Sequence, residues 1–145
     1  MTKRDLEYIG CLDKAAPRGF AAAAVVLAVC LGFGPLSAGF LAATAGVALL
    51  WFALAVLTWR SGSDFLGAGA LLVPIAGLLT LKGHFFKDLP GDALCLVDGQ
   101  YLGMVLAGYF GLHMLLRRPL RRWLKCDDAA AGKGKGSLPG TVARR

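Results

Sequence analysis

From residue 19 to residue 58 the chain carries no Lys, Arg, Asp or Glu. Soluble domains are about one-quarter charged, so a run of this length has no place on a surface facing water. A single cluster of turn formers, Gly34, Pro35 and Ser37, interrupts it. On either side lies an apolar segment close to the roughly 20 residues a helix needs to cross hydrocarbon. The whole composition points the same way. Apolar residues make up 57% of the 145, charged residues 17%, and the mean hydropathy is +0.61. Intrinsic disorder is excluded, because disordered chains are poor in apolar residues.

Four spans follow, at about 20–36, 38–58, 65–81 and 93–116. The expected fold is all-α: an integral membrane four-helix bundle built as two antiparallel transmembrane hairpins. The first apolar run, ending near Ser37-Ala38-Gly39, has some features of a secretory signal. Its flank is long, however, and contains Asp5, Glu7 and Asp13, and the apolar run resumes at once. A retained first span is therefore expected. Pro74 falls in the middle of span three, where it removes a backbone donor and frees a carbonyl.

The flanks divide into three pieces. Residues 1–19 form an N-terminal segment with a capping box at Thr2 and Asp5. Its partial apolar stripe, Leu6, Ile9 and Leu12, suits a short interfacial helix ending at Pro17 and Gly19. Residues 117–128 form a basic amphipathic helix at the membrane surface. Leu116, Leu120, Trp123 and Leu124 fall on one side, and Arg117, Arg118, Arg121, Arg122 and Lys125 occupy the rest. Residues 129–145, rich in Gly and Lys, are expected to be disordered.

Charge gives the orientation. The net charge is +7, and of the sixteen Lys and Arg only Lys82 and Lys87 lie in the connection between spans three and four. Cytoplasmic flanks carry the excess of Lys and Arg. Both termini are thus placed inside, in a bacterial inner membrane. The cations abut apolar runs, so the bilayer and its anionic headgroups are the expected partners rather than nucleic acid.

Helices in lipid associate through close packing at small residues. Gly99, Gly103, Ala107 and Gly111 recur every four residues in span four, forming one ridge. The ridge suits packing within one bundle, or a contact with a second copy or another membrane protein. The four cysteines, Cys11, Cys30, Cys95 and Cys126, form no CxxC pair and read as unpaired apolar fillers.

Few residues offer chemistry. Asp98 lies near the start of span four, beside Gln100 and Tyr101. An Asp at a helix centre costs about 2.5–3.5 kcal/mol to insert, so it is a candidate for ion binding or transport. Lys82, Lys87 or His84 would be its nearest charged neighbours. His84, Asp88 and Asp92 share no metal-ligand spacing. His84 and His113 would sit at opposite ends of roughly 30 Å of hydrocarbon and cannot share one haem iron. His113 reads as a satisfied interfacial histidine. No GxSxG, HExxH, P-loop or dinucleotide fingerprint occurs. No catalytic residue, metal or cofactor is therefore expected. The leading expectation is a non-enzymatic accessory, assembly or anchoring subunit. The alternative is a small oligomeric transporter or channel using Asp98.

Overall fold

The structure is a computed structural model that describes the backbone of residues 3–33 and 37–133 and the side chains of 7–32 and 37–123. Four helices follow in order: α1 (Lys3–Phe33), α2 (Ala38–Ser61), α3 (Asp64–Phe85) and α4 (Gly91–Lys133). Each is long and apolar enough to cross a membrane. The protein is an all-helical, multi-pass integral membrane protein.

The turns are written in local chemistry. Ser37 caps α2 by accepting a hydrogen bond from Phe40 N–H at 3.1 Å. At the far end of α2, Gly62 takes the left-handed conformation at φ 63°, and its N–H donates to the Thr58 carbonyl. That conformation is open to glycine without a Cβ penalty. Ser63 then caps α3, and Asp64 supplies negative charge to its first turn. The reversal between α2 and α3 is therefore complete within a few residues.

Two helices run straight through breaks that the sequence suggests. The expected break at Pro17 and Gly19 does not occur, and α1 continues through both. Gly19 is a packing contact instead: a Cβ there would lie 2.5 Å from the Phe110 ring. Likewise α4 runs unbroken from span four through the basic segment to Lys133, past Pro119. The helix thus includes residues 129–133, which were expected to be disordered. The cap at Thr2, the turn at Gly34 and Pro35, the side chain of Lys125 and the tail from 134 lie outside the described residues.

Helix α4 is the hub. It packs along α1 on one side and α2 on another, while α3 packs chiefly on α2 and touches α4 only lightly. The α1–α4 contact is antiparallel and in constant register: Cys30 meets Gly99, Leu27 meets Gly103, and Phe20 meets Gly111. Ile9 and Leu120 pack together near the chain ends. A Cβ at Gly103 would come within 3.1 Å of the Leu27 backbone nitrogen. Small residues are what let these two backbones approach. Ala107, the remaining member of the ridge, instead lines an apolar groove of about 460 Å³ between α1 and α2. Gly108, which the four-residue spacing passes over, faces Ala48 of α2.

Two apolar clusters mark the ends. At the α3–α4 loop end, Phe40, Phe86, Val97, Tyr101 and Val105 are buried together. At the opposite end, called here the tail end, Ile9, Trp59 and Leu120 are. Between them the polar side chains on α2 turn back on their own helix. Thr44 donates to the Phe40 carbonyl at 2.6 Å and Thr58 to the Leu54 carbonyl at 2.8 Å.

Candidate functional site

Polar side chains meet across helices at both ends of the bundle. At the loop end, α3 and α4 carry Lys82 and Asp98 to the same level. Lys82 Nζ donates to both carboxylate oxygens of Asp98, at 2.9 and 2.8 Å. The pair is partly open, with side chains 31% and 39% exposed. Such pairs contribute about 0–1 kcal/mol when water reaches them. The sequence puts Lys82 just past span three. The structure extends α3 to Phe85 and makes Lys82 part of its last turn.

Gln100 and Tyr101 do not join Asp98. They point to other helices. Gln100 is buried and donates through Nε2 to the Cys30 carbonyl of α1 at 2.9 Å, while its Oε1 is buried without a protein partner. Tyr101 donates its hydroxyl to the Pro74 carbonyl of α3 at 2.6 Å. Gly77 makes room for that phenol, since a Cβ there would lie 2.5 Å from its oxygen. Adjacent positions on a helix differ by about 100°, so Gln100 and Tyr101 necessarily address different neighbours. His84 is exposed and sits edge-on to Phe85 at 5.0 Å.

The tail end holds a denser cluster. Asp13 of α1 faces His113 of α4, with His113 Nε2 2.8 Å from Asp13 Oδ1. The two side chains are only 7% and 1% exposed. Arg121 pairs with the other carboxylate oxygen, and Arg117 Nε lies 4.0 Å from Oδ1. His113 Nδ1 is buried without a partner, and the ring stands edge-on to Trp59 at 6.0 Å. Among the described residues, the buried Asp13 carboxylate thus has partners only on α4, and removing Arg121 or His113 would leave it less compensated.

Sequence reasoning treated Asp13 as a flanking charge and did not connect it to His113. The two are 100 residues apart, and only the α1–α4 register joins them. A usable signal existed in the spacing Asp13 to Cys30 against Gly99 to Arg117. Once α1 is laid antiparallel on the glycine ridge, Asp13 falls opposite the arginines.

The basic segment is two-sided, in keeping with its amphipathic pattern. Trp123 and Leu120 turn toward α2, lining a groove with Phe52, Val56, Leu116 and Pro119. Arg60 of α2 stacks over the Trp123 ring at 4.2 Å. Arg117, Arg118 and Arg121 line the opposite side with Met114 and Leu115. Arg122 is exposed beside them and lines neither cavity.

A further cavity, about 250 Å³, opens between all four helices and has aromatic walls, among them Trp51, Trp59, Tyr109 and Tyr8. Trp51 stacks on Tyr109 at 4.3 Å. Among the described residues no three His, Cys, Asp or Glu side chains come together as a metal ion would require. Cys11, Cys30 and Cys95 are free thiols. Compared with protein-family models, curated proteins and solved structures, the chain matches none.

Proposed function

We propose that this protein is a non-catalytic accessory or anchoring subunit of the bacterial inner membrane, working beside another membrane protein or a second copy of itself. Its termini lie in the cytoplasm, so the tail end faces inward and the α3–α4 loop outward. The observation that carries the reading is α3. This helix rests on α2, touches α4 lightly, and leaves Leu72, Ile75 and Leu79 more than half exposed along one side. Among the described residues, the polar tethers from α3 to α4 are at its Lys82 and Pro74 carbonyl. A helix attached along one side offers the other to a partner.

Support also comes from where the acidic groups are spent. Asp98 is held by Lys82, and Asp13 by His113 and Arg121. A transported ion would have to displace these partners. The competing transporter reading, with Asp98 as coupling group, therefore gains little from the geometry.

The test is the assembly state. Purified in mild detergent with Ile75→Cys in a background lacking the native thiols, and treated with a bifunctional thiol reagent, the protein should give one discrete larger species. A lone monomer that carries no partner protein and forms no such species overturns the proposal.

A further inference from the structure

Three arginines of the basic segment line a single cleft along α4. Met114, Leu115, Arg117, Arg118 and Arg121 line an open cleft of about 590 Å³ on the side of α4 turned away from α2. Leu115 is 77% exposed and Met114 44%, so the membrane side of the cavity is open to lipid chains. The water side is arginine. Asp13 sits behind it, almost wholly buried, with Arg121 on one oxygen and Arg117 near the other. The guanidinium groups of Arg117 and Arg121 are nevertheless about half exposed and free to take a second acceptor.

We infer that this pocket binds the headgroup of a phosphomonoester lipid in the leaflet at the tail end. Three arginines against one carboxylate leave a local charge near +2. A phosphomonoester carries about −1.5 to −2 at neutral pH, whereas a phosphodiester lipid carries one charge. Guanidinium forks match phosphate oxygens in pairs. Asp13 acts as a positioning residue: it holds the Arg121 fork, with Arg117 Nε 4.0 Å away, before the lipid arrives, which lowers the ordering cost of binding. The apolar side of the pocket then receives the first part of the acyl chain. A soluble phosphate gains nothing from Met114 and Leu115, and the membrane side of the pocket therefore selects the lipid.

The experiment uses the full chain in phosphatidylcholine nanodiscs doped with phosphatidic acid or phosphatidylglycerol. Bound lipid is counted by native mass spectrometry. Phosphatidic acid should be retained in preference to both other lipids. Arg118→Gln should weaken its retention about tenfold, as for loss of one charge-assisted hydrogen bond. Arg122→Gln removes the same charge one residue outside the cavity and should leave retention unchanged. Asp13→Asn raises the local positive charge, yet should weaken retention because Arg121 loses its support. Should that variant not fold, the Arg118 and Arg122 pair still decides the matter. Equal losses for those two variants, or equal retention of phosphatidylglycerol, would reduce the pocket to surface charge and overturn the inference. Displacement of phosphatidic acid by millimolar inorganic phosphate would overturn it as a lipid site.

Discussion

Single residues in this bundle do unequal work even when they share a pattern. Gly103 and Gly111 lie two turns apart on the ridge facing α1. A Cβ at Gly103 would press on the backbone of Leu27, at 3.1 Å from N and 3.2 Å from Cα. A Cβ at Gly111 would meet only the edge of the Phe20 ring, at 3.3 Å. Backbone cannot step aside as a ring can. Gly103→Ala should therefore destabilise the bundle by about 1–3 kcal/mol, the range for overpacking. Gly111→Ala should be near neutral, since the loss of backbone freedom in the unfolded chain offsets a small ring shift. Thermal unfolding in detergent, followed by circular dichroism, separates the two. The ion pairs show the same inequality. Lys82 and Asp98 stand where water screens them, whereas the Asp13 carboxylate that pairs with Arg121 is buried.

Among the elements, α3 is the least secured. It lacks a glycine ridge against α4, and Pro74 withholds the backbone donor that the Ala70 carbonyl would otherwise receive. The phenol of Tyr101 reaches across to the neighbouring Pro74 carbonyl. Hydrogen bonds between membrane helices contribute about 0.6 kcal/mol on average. Tyr101→Phe should thus lower global stability little. It should instead speed hydrogen exchange in α3 selectively, with α1 and α4 unchanged. Uniform acceleration across all four helices would refute the assignment of Tyr101 as a tether of α3. Helix number and approximate limits were legible in the sequence because hydropathy acts locally, through length and the absence of charge. The helix ends were less so. Pro17 and Pro119 are ordinary stop signals in water, but in α1 and α4 the neighbouring helix holds both sides of each proline in line. The cluster at Asp13 and His113 was not legible, since which helix α1 chooses is a matter of packing shape and not of composition.

For the whole molecule, charge bias and packing assign each end a different character. The tail end is basic and aromatic, with Arg60 on Trp123 and Tyr8 against Trp59 at 6.3 Å. The loop end carries Lys82 and Lys87 with Asp88, Asp92 and Asp98 and is nearly balanced. If the tail end is cytoplasmic, Lys87→Cys should react with a membrane-impermeant maleimide in intact cells, in a background lacking the native thiols. Arg60→Cys should react only after permeabilisation. The reverse pattern would invert the topology.

The choice of α4 as the partner of α1 also orders events in time. Of the four helices, α1 is made before α2 and α3, and its main packing partner α4 after them. During synthesis α1 must enter the bilayer and remain there without its partner while α2 and α3 insert. Its long uncharged stretch lets it stay stable in lipid during that interval. Asp13 is then exposed at the membrane surface until His113 and Arg121 arrive to cover it. Docking of α4 closes the long connection between α1 and α4, and a ribosome-bound chain stopped before α4 holds α1 in place by lipid and the few contacts of Tyr8 and Ile9 with Trp59 of α2.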